Sequence, residues 1–89
     1  MFVIGLDIGT TCAKALVLAK DGRIAASGSR EVKLFSDGCH VEQRAENWTE
    51  AATAAVREAL GGIDGSQVEA VSLSTQGAST VALDRDGKT

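Results

Sequence analysis

A short glycine-bearing turn at residues 7–11 joins two apolar runs, and this join constrains the fold more than any other feature. The first run is Phe2-Val3-Ile4-Gly5-Leu6-Asp7. The second covers residues 13–19, with Lys14 as its only charge. Short apolar runs with β-branched content read as buried strands. A link this short leaves an antiparallel pair, because a parallel crossover needs a dozen residues or more. Next comes Lys20-Asp21-Gly22-Arg23. Asp-Gly between strand-like runs predicts a tight hairpin with positive φ at both central residues. Residues 23–34 read as a third, more polar strand, with a bulge or bend expected at Gly28.

Residues 35–44 hold the turn cluster Ser36-Asp37-Gly38, have no clear period, and read as an irregular connection. A helix follows. Trp48, Ala51, Ala52, Ala55, Val56, Ala59 and Leu60 fall at i, i+3, i+4, i+7, i+8, i+11 and i+12, one continuous apolar stripe. Asn47 with Glu50 three residues on suggests a variant capping box. Gly61-Gly62 is a natural stop. The stripe is mostly alanine, so the helix should lie close to what it covers. Residues 68–74 read as a fourth strand, Thr75-Gln76-Gly77 as a turn, and residues 79–83 as a fifth strand. Asp84-Arg85-Asp86-Gly87-Lys88 is a second Asp-Gly turn, chemically an echo of residues 20–23. A turn of that kind calls for a returning strand, so the sequence reads as cut in mid-domain. The expected class is α/β: a mixed sheet in the order β-β-β-α-β-β.

Composition removes several functions. The 89 residues are 44% hydrophobic and 24% charged, a globular balance. A net charge of −3 makes nucleic acid and anionic membranes poor partners. Aromatics at 3% leave few platforms for base stacking. No apolar run reaches the ~18–20 residues of a membrane span. The first residues lack the basic region of a secretory signal. Cys12 and Cys39 make neither a disulfide framework nor a zinc knuckle, and two reduced thiols suit a cytoplasmic protein.

The segment with the most chemistry is Asp7-Ile8-Gly9-Thr10-Thr11-Cys12-Ala13-Lys14. It lies between two strands, so it is neither a Walker loop nor a dinucleotide fingerprint, both of which use a helix N-terminus. Its chemistry still suits phosphate. Gly9 lets a phosphate approach the backbone. Thr10 and Thr11 offer hydroxyl and N–H donors, and Lys14 adds positive charge. Asp7 can hold a hydrated Mg²⁺, which prefers one or two carboxylates plus phosphate oxygens. From spacing alone, an ordinary β-turn with an acidic first residue explains the segment equally well.

Asp7 to Lys14 resembles the first phosphate motif, D-x-G-T-x-x-x-K/R, of the FGGY carbohydrate kinases. Two further segments agree in order and spacing. Gly38-Cys39-His40-Val41-Glu42-Gln43-Arg44-Ala45-Glu46-Asn47-Trp48 resembles the family's G-W-x-E-Q-D-P-x-x-W. Residues 71–84, with Ser74-Thr75-Gln76 at their centre, resemble I-G-x-S-x-Q-x-x-x-x-V-x-L-D, which carries the first sugar contacts. The resemblance spans essentially the whole sequence. It implies a ribonuclease-H-like domain of the actin/hexokinase superfamily, with residues 1–89 forming the first part of the N-terminal domain. It implies transfer of the ATP γ-phosphoryl to a sugar or polyol hydroxyl, with a pentulose such as xylulose as the first guess. By the same resemblance, Asp7 holds Mg²⁺ through water, and Gly9, Thr10, Thr11 and Lys14 bind the β/γ-phosphates. Gln76, Gly77 and Ala78 then line the sugar side. A general-base aspartate and the adenosine site are expected beyond residue 89, so this segment alone should be inactive. The resemblance is compatible with a homodimer.

The sequence departs from the family pattern in places. Arg44-Ala45 stands where many members have Asp-Pro, which weakens the helix cap. Thr49 replaces a second tryptophan. Gly77-Ala78 stands where xylulose kinases carry Met-His and glycerol kinases Arg-Glu. Outside the motifs, His40 reads as a solvated loop residue, Trp48 as core, Cys12 as a small strand residue, and Glu42 and Glu46 as a solvated face. Two rivals remain. One is a non-sugar member of the superfamily, which Glu42-Gln43 together with Ser74-Thr75-Gln76 disfavours. The other is a non-catalytic partner-binding module.

Overall fold

A computed structural model describes residues 1–77 and 81–88. Three antiparallel strands open the chain: β1 (Phe2–Ile8), β2 (Cys12–Ala19) and β3 (Ile24–Glu31). The small strands β4 (Phe35–Asp37) and β5 (His40–Glu42) follow, then helix α1 (Ala45–Leu60), a 3₁₀ turn (Gly65–Gln67) and β6 (Val68–Thr75). The main sheet has the order β3-β2-β1-β6, with β6 parallel to β1. The expected mixed sheet is therefore present, with the crossover helix between antiparallel and parallel parts.

Helix and sheet meet through small side chains. Ile4 and Leu6 of β1 and Ala13, Ala15 and Val17 of β2 are buried on one face of the sheet. Ala51, Ala55 and Ala59, the centre of the predicted stripe, are buried against them. Trp48, Ala52, Val56 and Leu60 flank this core at partial burial. The backbones can approach closely because the residues that the helix buries are all alanines. At Gly28 of β3 the approach is extreme: a Cβ there would lie 2.4 Å from the Ala55 carbonyl oxygen and 2.7 Å from the Ala59 nitrogen.

Several local expectations need correction. Gly28 is no bulge, since it pairs regularly with Ala15, and the register shift lies between Val17 and Leu18. Its reason is the helix above it. The hairpin at residues 20–22 is not a two-residue turn: Gly22 N–H donates to the Ala19 carbonyl at 2.9 Å and Ala19 N–H to the Arg23 carbonyl at 2.9 Å, with Gly22 at φ +91°. Three residues thus form the loop, and only its last position demands glycine. The connection at 35–44 is ordered into the β4–β5 hairpin around Gly38 at φ +59°. Asn47 does not cap α1; the helix begins earlier, with Arg44 in the cap position and no side-chain cap bond. Arg44 instead lays its guanidinium over the Phe35 ring, 4.3 Å from the centroid, which ties β4 to the helix start. Gly61 ends the helix at φ +50° as expected, its N–H bonded to the Arg57 carbonyl.

The fifth strand is the remaining difference. Residues 79 and 80 lie outside the described residues, and Val81–Asp84 are not in a strand. The following turn forms all the same. Gly87 N–H donates to the Asp84 carbonyl at 3.0 Å, Asp84 N–H to the Lys88 carbonyl at 2.8 Å, and Gly87 has φ +80°. This is the bonding pattern of the loop at residues 19–23, so the echo in sequence is also an echo in geometry.

Candidate functional site

The turn between β1 and β2 lies at the end of the sheet where β6 also terminates. Cross-strand register brings the predicted residues together. Asp7 pairs with Lys14 across β1–β2 and with Ser74 across β1–β6. Side chains on neighbouring strands at the same register point to the same face. Asp7, Lys14 and Ser74 therefore share the face opposite α1, together with Gly5, Leu16 and Ser72, around a hollow of about 490 Å³. Asp7 and Lys14 are both exposed, and among the described residues neither enters an ion pair.

The turn itself is held by backbone bonds. Gly9 N–H donates to the Cys12 carbonyl at 3.0 Å. A Cβ on Gly9 would stand 3.3 Å from that same oxygen, so the tight closure favours glycine here. This bond also commits the Gly9 N–H inside the turn and removes it from the donors available to a phosphate. The Thr11 carbonyl accepts from Val32 N–H at 2.9 Å, which anchors the turn to the segment after β3. Thr10 and Thr11 are exposed at the tip.

Gln76 reaches this turn from the end of β6. Its N–H donates to the Ile8 carbonyl at 2.9 Å, extending the parallel ladder by one bond. Its side-chain Oε1 accepts from the Thr10 hydroxyl at 2.8 Å. The phosphate-type residues and the first sugar-side residue are thus in direct contact. Gly77 follows in open space, and Ala78 lies outside the described residues.

Gln43 was missed as a site residue. It follows β5 directly, and its Nε2 donates to the Thr10 carbonyl at 2.7 Å. The available signal was an uncharged polar side chain between a strand and a helix that offers no cap. The weaker candidates fall as expected or outside view. Trp48 packs against the core, although its Nε1, like Asn47 Nδ2, is buried without a hydrogen-bond partner among the described residues. Cys12 is half-buried at the start of β2, and Cys39 is exposed. The side chain of His40 lies outside the described residues. No three His, Cys, Asp or Glu side chains gather as a metal cage among the described residues. A lone carboxylate is still the donor set that suits Mg²⁺, which keeps most of its waters and takes phosphate oxygens. No helix among the described residues is long and apolar enough to cross a membrane.

Comparison with known proteins agrees with this geometry. Residues 2–89 match the model of the FGGY family of carbohydrate kinases, N-terminal domain. The xylulose kinase of Bacillus subtilis is 27% identical over 88 residues, covering 96% of this chain and 18% of that protein. Glycerol kinase 1 of Saccharolobus solfataricus is 35% identical over 89 residues, covering 98% and 18% respectively. The chain thus spans about a fifth of the length of the relatives it matches. Among solved structures, a ligand-bound xylulose kinase from Lactobacillus acidophilus superposes with a TM-score of 0.87 at 27% identity, covering 98% of this chain and 18% of that one. A gluconate kinase from the same organism gives the same TM-score, identity and coverage. Fold, motif order and the match along residues 2–89 converge: the chain belongs to the FGGY family of carbohydrate kinases and matches their actin/hexokinase-like N-terminal domain.

Proposed function

We propose that this chain supplies the phosphate turn and one wall of the acceptor site of an ATP-dependent carbohydrate kinase. The general base and the adenosine site then come from residues outside it. The observation that carries this reading is the contact between the two motifs: the Thr10 hydroxyl bonds Gln76 Oε1 at 2.8 Å. A kinase must hold the terminal phosphoryl and the accepting hydroxyl side by side, and here residues suited to each meet at one end of the sheet.

The division of labour follows from position. Phosphoryl transfer relies on positioning and charge stabilisation more than on covalent chemistry by the protein. Asp7, exposed at the strand end beside Lys14, would hold Mg²⁺ through water, and the bound ion supplies charge neutralisation at the phosphates. Lys14 adds a second positive charge on the same face. Thr11, at the exposed tip of the turn, offers its hydroxyl to the β/γ-phosphates; Thr10, whose hydroxyl proton is given to Gln76, offers its N–H, and Gly9 keeps the backbone approachable. Gln76 and Gly77, with Ala78, border the acceptor.

A pentulose such as xylulose is the preferred acceptor. Gly77 and Ala78 lack the Arg-Glu of the glycerol kinases and equally the Met-His of the xylulose kinases, so the choice rests on the relatives. Xylulose kinases stand among both the sequence relatives and the structural neighbours. Glycerol is the second reading, favoured by the 35% identity to glycerol kinases.

The test is a kinetic screen of the complete kinase across C3 to C6 polyols and ketoses, followed by Asp7→Ala. The variant should lose on the order of 10²-fold in turnover with Mg·ATP, the scale of losing one preorganised electrostatic contact. Its sugar affinity should hold within about twofold. Unchanged turnover in Asp7→Ala sinks the assignment of Asp7, and a clear preference for glycerol replaces the pentulose reading.

A further inference from the structure

We propose that Gln43 is a positioning residue that couples the phosphate turn to the acceptor side. The proposal rests on the kinase reading above and adds a residue to it. Two glutamines converge on Thr10 from distant parts of the chain, 33 and 66 residues away. Gln43 donates to its carbonyl at 2.7 Å, and Gln76 accepts from its hydroxyl at 2.8 Å. Backbone and side chain of one turn residue are thus fixed by two different segments.

Stability does not account for this arrangement. Both bonds lie in exposed positions, where a hydrogen bond exchanged against water contributes little. The cohesion of the domain comes from the alanine core beneath α1, at the other end of Gln43's connection. What the two bonds do achieve is orientation. With its hydroxyl proton given to Gln76, Thr10 turns its oxygen lone pairs toward solvent, and a phosphate oxygen meets the remaining donors of the tip. Gln43 sets the peptide plane that carries this hydroxyl. Gln43 is itself held from two sides: β5 ends at Glu42, the residue before it, and Arg44, the residue after it, stacks on Phe35. The β4–β5 hairpin thereby becomes a bracket for the turn, and a shift of Gln76 on acceptor binding passes directly to Thr10.

The experiment is a double-variant cycle in the complete kinase. Gln43→Met keeps the side-chain length and removes the donating Nε2; Gln76→Met keeps the length and removes the accepting Oε1. Gln43→Met alone should lower kcat/KM for the sugar by about 3–10-fold, the range of one hydrogen bond. The loss should fall mainly on kcat, with KM for the sugar little changed. In the Gln76→Met background the same substitution should cost less than about twofold, because members of one network are not additive. Equal losses in both backgrounds overturn the coupling. A second readout needs no turnover: deuterium exchange at the amides of Gly9 and Gln76. Gln43→Met should raise it several-fold while Ala15 and Val17 in β2 keep their protection. A uniform rise means the variant only loosens the fold and overturns the proposal. A wild-type enzyme that phosphorylates no polyol or ketose sinks the kinase reading, and the exchange measurement then still decides whether Gln43 holds the turn.

Discussion

One face of the sheet behaves as two different surfaces. Over β3 and β2 it is covered by α1 in close approach, with alanines inside and Gly28 beneath Ala55. Over β6 the same face is bare. Val71 and Leu73 lie in register with the buried Ile4 and Leu6 and point to the same side, yet they are 57% and 63% exposed. The hydrophobicity of the two halves is similar; what differs is the reach of a single helix. A strand's burial is therefore set by its cover and not by its sequence alone. Among the described residues the outer edge of β6 is also unpaired, the arrangement that invites association with other chains.

The largest effect should come from the tight half. Gly28→Ala places a methyl group within bonding-clash distance of helix backbone that cannot step aside. Overpacking typically costs 1–3 kcal/mol, and a backbone clash belongs at or above the top of that range, about 3 kcal/mol. For a domain of this size that lowers Tm by about 12–24 °C. A thermal melt followed by circular dichroism checks it, and a change under about 2 °C would show that helix and strand are not in close contact.

On the bare half, Leu73→Ser should leave the melt of the chain within about 0.5 kcal/mol, as for other exposed positions. Its effect should appear in self-association: size-exclusion chromatography of the 89-residue chain should show less oligomer than wild type, because an apolar patch has been broken. A destabilisation above about 1 kcal/mol would mean that β6 is covered in solution and would abolish the contrast between the halves.

The smallest effect belongs to the approach to β6. Asp64 accepts a hydrogen bond from Ser66 N–H at 3.0 Å, and this bond holds its carboxyl below the usual carboxylate range. A carboxylate with a depressed folded pKa contributes stability above the unfolded value, near 3.9, and loses it as pH falls through the folded value. Asp64→Ala should therefore differ slightly from wild type at neutral pH, and the difference should begin to shrink as pH falls below about 4. Paired urea melts across pH 3–7 measure it; a difference independent of pH would assign the effect to the backbone of the turn instead.

The sequence was most legible where one local rule acted alone. The period of the alanine stripe located α1, and Gly61 located its end. The apolar runs located β1, β2 and β6, and the motif from Asp7 to Lys14 located the turn. It was least legible where tertiary contact overrode local chemistry. Gly28 looked like a strand defect because the helix that requires it sits 27 residues further on at Ala55. The β4–β5 hairpin has strands of three residues, too short for alternation to show. Asn47 carried the chemistry of a cap, but the Arg44–Phe35 contact starts the helix earlier. In the site, strand register places Asp7, Lys14 and Ser74 on one face, a grouping that the motifs alone do not state. The role of Gln43 could not be read, since nothing in a string of residues shows that a side chain reaches back 33 positions to a carbonyl oxygen.

The parallel pairing of β1 with β6 has a consequence for what a bound molecule would report. Thr10 and Gln76 become neighbours only once the chain between Ile8 and Gln76 has closed on itself. Detaching β6 would part Thr10 from Gln76 without breaking the β1–β2–β3 pairing or the contacts of α1 with β2 and β3. Any ligand gripping both residues therefore selects the fully closed form and stabilises it by mass action. Its occupancy is a measure of long-range closure, a property that helix content and the early hairpins leave invisible.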